Sequence, residues 1–273
     1  MDKIWTERII SRLAEVRAKR PLVHNITNYV VMNSTANALL ALGASPVMAH
    51  EKEEVEEMVM LSQALVLNIG TLSEHWITAM FRAAAMATRM KMPIVLDPVG
   101  AGATRLRTST AQRLVYEAKL SVVRGNASEI LALGEGAVRP QGVDSRHTVE
   151  QARKTATELA RRFHLTIAVT GPEDFVTDGQ RTARISNGHP LMCRVTGTGC
   201  AATAIAGAFC AVEPDAFAAA VEALVVFGVA GELAARNNPR PGTYQIRLLD
   251  ALDAINSDHV RTRARLETSG QPA

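Results

Sequence analysis

The 273-residue chain is poor in aromatic residues, with six Phe, three Tyr and two Trp making up 4% of it. Its core must therefore be built from Ala, Val, Leu, Ile and Met, and a hydrophobic fraction of 47% is ample for a sizeable one. Cysteine is equally scarce. Cys193, Cys200 and Cys210 are odd in number and form no CxxC pair, which argues against a disulfide framework or a zinc site. A reducing, cytoplasmic setting is expected. Strong charge of one sign is missing too: 30 Lys and Arg against 27 Asp and Glu give a net charge of +3, with no dense basic run, so no nucleic-acid partner is expected. No uncharged apolar run reaches the roughly 18 residues of a membrane span. The richest stretch, 216–235, is interrupted by Glu222 and Glu232 and reads as a buried helix. The amino-terminal segment is charged and amphipathic rather than a signal peptide, so no membrane partner is expected either. The seven histidines show no HExxH-like spacing, and the G-x-x-x-x-G-K-[ST] loop is absent. Linkers and repeats are also absent, so residues 1–273 read as one domain with a polar, frayed tail from about 261.

What is there is an alternation. Helices are predicted over 2–18 (Ile4, Ile9, Leu13 and Val16 inward), 28–42 (ended by Gly43), 52–62, 73–90 (capped by Ser73), from Ser109-x-x-Gln112, over 126–133, and from Thr148-x-x-Gln151 to about Phe163. The last of these carries Val149, Ala152, Ala156, Leu159 and Phe163 on its apolar side, after a loop at 134–146. Short apolar strands are predicted at 21–26, 45–48, 64–70, 93–97, 121–124 and 165–170, and a hairpin around Asp178-Gly179. Three more helices are expected at about 199–212, 215–236 and 243–256. Apolar strands alternating with amphipathic helices predict a three-layer α/β/α fold with a mostly parallel central sheet. Five glutamates between 51 and 57 read as a solvated helix face.

Ligands of open α/β sheets sit beyond the carboxyl ends of the strands. The residues there are Met48, Asn68, Gly70, Asp97, Arg124, Asn126 and Thr170-Gly171, a polar set suited to a phosphorylated ligand with a metal. Asp97 could hold Mg²⁺ against phosphate oxygens, or simply open an Asp-Pro turn. Glu129 could approach the metal, or close a capping box with Asn126. Arg124 could clamp a phosphate or lie on the surface.

Val195-Thr196-Gly197-Thr198-Gly199-Cys200 introduces a small-residue run that starts a helix. Unpaired N–H groups at a helix start attract anions, and a thiol in that first turn is expected to lose its proton more easily. Gly197-x-Gly199-x-x-Ala202 fits the dinucleotide fingerprint formally, but it lies late in the chain and lacks a preceding core strand. Cys193 and Cys210 read as small buried hydrophobes.

The Val195–Cys200 motif resembles the anion-hole signature of ribokinase-like kinases. The Cys form of it, with His24-Asn25-Ile26-Thr27-Asn28, Ala44-Ser45-Pro46-Val47-Met48 and Asp97-Pro98-Val99-Gly100-Ala101, is similar to the hydroxyethylthiazole kinase family over about residues 21–256. The resemblance implies a ribokinase-like fold and transfer of the ATP γ-phosphoryl group to 4-methyl-5-(2-hydroxyethyl)thiazole in thiamine salvage. It implies Mg²⁺ and a homotrimer. Carried over by motif, Met48, Gly197 and Asn25 contact the thiazole alcohol, and Arg124 and Thr170 contact ATP. Glu129 and Asp97 lie around Mg²⁺, the amides of Gly197, Thr198, Gly199 and Cys200 form the anion hole, and Cys200 stands where the catalytic base belongs. A kinase for another vitamin-precursor alcohol, of the hydroxymethylpyrimidine type, a nucleotide-dependent dehydratase on the same sheet and a non-catalytic nucleotide-binding module are the alternatives.

Overall fold

The computed structural model describes residues 3–134 and 145–269. Six parallel strands, β1 (Leu22–Ile26), β2 (Ser45–Val47), β3 (Ala64–Asn68), β4 (Ile94–Asp97), β5 (Val122–Asn126) and β6 (Thr166–Thr170), are continued by antiparallel β7 (Asp174–Thr177), β8 (Thr182–Ile185) and β9 (Leu266–Ser269). The nine lie in one sheet in the order β2-β1-β3-β4-β5-β6-β7-β8-β9. One face is covered by α1 (Lys3–Lys19), α2 (Met32–Leu42), α8 (Thr198–Cys210), α9 (Ala216–Ala234), α10 (Pro241–Ala254) and α11 (Ser257–Arg263). The other is covered by α3 (Val55–Leu61), α4 (Glu74–Met90), α5 (Arg105–Glu117), α6 (Ala127–Leu133) and α7 (Ser145–Phe163). The expected three-layer α/β/α architecture is what forms. With both faces covered, the parallel strands are largely apolar and buried, as at β3, Ala-Leu-Val-Leu-Asn, where every residue is buried. Helix α9 is long and apolar enough to cross a membrane, yet it lies buried in this core.

Several expectations shift. In α1, Trp5 takes the inward position and Ile4 is 56% exposed. Helix α2 starts at Met32, which leaves Asn28 in the preceding loop. The helix expected from Ser109 starts four residues earlier, capped by Thr104, whose hydroxyl accepts from the Arg107 N–H. Thr104-x-x-Arg107 offers no reciprocal acid, so the Ser-x-x-Gln pattern one turn later looked the stronger signal. Helix α7 begins at Ser145, so Thr148 is inside it rather than at its cap; residues 135–144 of the expected loop, and the Thr148 and Val149 side chains, lie outside the described residues. Over 261–269 the tail is not frayed: α11 runs to Arg263 and β9 pairs along β8, while residues 270–273 lie outside the described residues. The five glutamates lie on or near the surface, where Glu51 meets His75 and Glu56 meets Arg82.

Candidate active site

The polar residues at the sheet's carboxyl edge stand on a floor of small aliphatic side chains. Side chains alternate along a strand, so residues i and i+2 share a face. Val66, Val95, Val122 and Ala168 belong to the core beneath α8. Two residues further on each strand come Asn68, Asp97, Arg124 and Thr170, on that same face. Register sets their height. Asn68 is the ladder partner of Asp97, and Arg124 comes one step past the Leu96–Val123 pair. Thr170 pairs with Asn126, about one pleat further out. Asn25 pairs with Val66, so it sits a layer down, with the valines rather than with Asn68. It is fully buried, and its Nδ2 donates to the Val23 carbonyl. The structure therefore does not bring Asn25 to the polar row. Met48 is half-buried just past the end of β2.

Helix α8 roofs this row with its first turn. Gly197 is its N-cap in a left-handed conformation (φ 85°), and a Cβ there would lie 2.9 Å from Val31 Cγ1. Ala201 N–H donates to the Gly197 carbonyl, so the N–H groups of Thr198, Gly199 and Cys200 precede the helix's own bonding. The Thr198 hydroxyl donates to the Met192 carbonyl, which ties the helix start to the 3₁₀ turn Pro190–Arg194. Gly199 lies directly against the guanidinium of Arg124; a Cβ would come within 2.7 Å of Arg124 Nη1. Arg124 is thus neither a surface residue nor remote from the glycines: its side chain is 14% exposed, and Nη1 stands 4.0 Å from Asp97 Oδ2.

Asp97 is buried. Its Oδ2 accepts from Asn68 Nδ2 (3.1 Å) and Thr203 Oγ1 (2.8 Å), while its Oδ1 has no partner. Burial pushes its carboxyl up to about 6, aided by the charge of Glu129 and opposed by Arg124, Thr203 and Asn68. Glu129 closes the capping box: Asn126 N–H donates to Oε2, while Oε1 accepts from Gly100 N–H. It thereby links the loops after β4 and β5. Cys200 is partly buried, and Asn28 Nδ2 donates to its sulfur at 3.7 Å. The expectation of an easily ionised thiol is overturned. Burial, followed by the charge of Asp97, pushes Cys200 up to about 11, against the pull of Asn68, Arg124 and Asn28. Cys210 is buried as expected, whereas Cys193 is exposed.

Residues to which the motifs gave no role also converge here. Asn28 and Thr203 join the Asp97 network. Arg107 donates to the carbonyls of Val99 and Gly70, clamping two strand-end loops together. Asp174 accepts from Gly171 N–H next to Thr170, and burial pushes it up to about 6. Tyr29 and His50 pack on Trp76, with ring centroids 4.6 and 4.8 Å from it, and His50 Nδ1 lies 3.3 Å from the Met48 carbonyl oxygen. A cavity of about 690 Å³ opens at the opposite, amino ends of β5 and β6, and none of the carboxyl-edge site residues lines it. Among the described residues no group of three or more His, Cys, Asp or Glu is arranged to hold a metal ion. The arrangement offers a cation, a buried carboxylate and a row of free amides around one point, which suits phosphoryl chemistry.

Known proteins agree with this. The family model described as the hydroxyethylthiazole kinase family matches residues 13–258. A hydroxyethylthiazole kinase of Desulfotalea psychrophila is 54% identical over 257 residues, 94% of each chain. One from Methanococcus maripaludis is 51% identical over 260 residues, 94% of this chain and 97% of that one. The solved hydroxyethylthiazole kinase structure from Pyrococcus horikoshii OT3 superposes with a TM-score of 0.89 at 47% identity, covering 97% of this chain and all of that one. Pyridoxal kinase from Staphylococcus aureus, solved with AMP-PCP and pyridoxal, shares the fold at 15% identity, with a TM-score of 0.60 over 91% of this chain and 98% of that one.

Proposed function

The chain belongs to the hydroxyethylthiazole kinase family, and from that membership we propose that it transfers the γ-phosphoryl group of ATP to the hydroxyl of 4-methyl-5-(2-hydroxyethyl)thiazole, a salvage step of thiamine synthesis. The observation that carries this reading is the meeting of Arg124, Asp97 and the free amides of α8 at the carboxyl edge of the sheet. Arg124 and Thr170 hold ATP. Met48 and Gly197 flank the thiazole alcohol. The amides of Gly197, Thr198, Gly199 and Cys200 face the charge that develops on the transferred group, the place where preorganised donors matter most.

Magnesium fits beside Asp97, because a buried carboxylate with one unpartnered oxygen is a group a divalent cation would satisfy. Glu129 would be the outer partner, its oxygens already held by two backbone amides. Such a sparse protein set is what Mg²⁺ takes when phosphate oxygens and water supply the rest, and when bound it would neutralise phosphate charge. Cys200, pushed up to about 11 by burial and by the charge of Asp97, keeps its proton at neutral pH. It therefore positions the alcohol by hydrogen bonding, and the amides carry more of the rate than proton removal does. A loose transition state asks for proton removal only late. The whole chain acts as one kinase domain, in the cytoplasm and as a homotrimer.

The test is a panel of small heteroaromatic alcohols with Mg-ATP, read by mass spectrometry of the phosphorylated product and by ADP release. The thiazole alcohol is expected to be preferred. Preference for a hydroxymethylpyrimidine, ADP release with a dehydrated product, or nucleotide binding without turnover on any alcohol would each overturn the reading.

A further inference from the structure

We propose that Asn68 and Thr203 are positioning residues that fix the plane of the Asp97 carboxylate, so that its one unpartnered oxygen is presented to the reacting phosphates. The inference rests on the reading of Asp97 as a magnesium and phosphate residue and goes one shell further out. Both side chains donate to the same oxygen, Oδ2, from opposite sides: Asn68 from the end of β3, Thr203 from the second turn of α8. Oδ1 is left as the one oxygen without a partner. A carboxylate alone turns freely, since its terminal torsion is broad and roughly two-fold. Pinned between sheet and helix, this one is not free to turn.

The direction of the Asn68 bond is set by the backbone. Asn68 Oδ1 accepts from Gly70 N–H at 3.0 Å and from Asn28 Nδ2 at 2.8 Å, which leaves Nδ2 to face Asp97. Asn28 is locked in the same way. Its Oδ1 accepts from Val30 N–H at 3.1 Å, so its Nδ2 faces Asn68 and Cys200. Two backbone amides thus polarise a buried chain that runs from the Cys200 sulfur to the Asp97 carboxylate. Turning either amide would set its oxygen against an acceptor. Asn28, Asn68 and Asp97 are each at least 96% buried, where such a mismatch is costly. Residues that orient a metal-side ligand in this way commonly change affinity or activity 10- to 100-fold when lost.

Thr203→Val removes the donor with little change of shape, and Thr203→Ser keeps it. The wild type, these two variants, Asn68→Ser and Asp97→Asn are compared by steady-state kinetics, by Mn²⁺ binding in the presence of ADP followed by electron paramagnetic resonance, and by thermal unfolding. For Thr203→Val, kcat is expected to fall about 10- to 100-fold and Mn²⁺ affinity about 10-fold. KM for the thiazole alcohol should stay within about two-fold, and Thr203→Ser should restore most of both losses. Asn68→Ser should move kcat and Mn²⁺ affinity in the same direction, which keeps the test standing if Thr203→Val fails to fold. Wild-type kcat and Mn²⁺ affinity in the folded Thr203→Val protein, or no recovery with Ser, would overturn the inference. If Asp97→Asn keeps full activity and Mn²⁺ affinity, the reading of Asp97 itself falls. If Asp97→Asn is inactive while Thr203→Val and Asn68→Ser behave as wild type, only the positioning role falls.

Discussion

At the scale of single residues, Cys200 is the position whose chemistry departs furthest from its place in the chain. A helix start favours a thiolate, but here burial and the neighbouring Asp97 outweigh it and keep the thiol protonated. Cys200→Ala should therefore retain turnover, with kcat lowered about 10-fold, below the span typical of losing a general base. Saturating kinetics on the folded variant checks this, and complete loss of activity would refute it. Alkylation at neutral pH should label exposed Cys193 before Cys200, as peptide mapping would show. Gly199→Ala should leave the fold intact and raise KM for ATP, because the added methyl meets only the guanidinium end of Arg124. That Asp97, Arg124 and Thr170 share the carboxyl edge of the sheet was legible from their places at strand ends. That Asn25 lies a layer lower was not, since only the pairing register assigns its height. Asn28 and Thr203 were hidden as well, one inside a predicted helix start and the other in a run of small residues.

At the scale of elements, α8 joins binding to packing. Its first turn faces the polar row, while Ile205, Ala206 and Phe209 go into the core. Gly207 is where the helix presses on the sheet; a Cβ there would stand 2.6 Å from Val66 Cγ2. Gly207→Ala should destabilise the protein by about 1–3 kcal/mol, measurable by urea unfolding, because this core has no room to yield. Asn126→Ala should cost about 1 kcal/mol of stability through the lost cap. Its activity should fall little, since the backbone N–H groups of Asn126 and Gly100 that hold the Glu129 carboxylate remain in place. Most helices and all the parallel strands could be read from hydrophobic period. β9 could not: Leu-Glu-Thr-Ser is a half-polar edge strand, and its pairing with β8 spans some eighty residues of sequence.

At the scale of the whole molecule, an acidic cluster between α1 and α9 couples folding to pH. Glu222 is fully buried, with Arg8 Nε donating to its Oε1, and Glu213 lies between Arg8 and Arg12. Burial, with the charge of Glu213, pushes Glu222 up to about 8. Since that is above its unfolded value of about 4.3, the folded state keeps a proton the unfolded chain has lost. The contribution to stability is full at low pH and is lost as pH rises towards 8. Glu222→Gln should therefore be more stable than wild type at pH 8.5 by about 1 kcal/mol or more, and the gap should close near pH 5 in urea titrations. An equal gap at both values would refute this. The floor of Val66, Val95, Val122 and Ala168 has a reach of the same kind. Because each polar side chain of the carboxyl edge stands two residues above one of these, the row behaves like a tabletop whose legs are core residues. Shortening one leg tilts the top. Val95→Ala, which touches no ligand, should leave a folded enzyme with a misdirected Asp97. Drift in core volume could thus retune or silence the chemistry without altering any residue that a substrate meets.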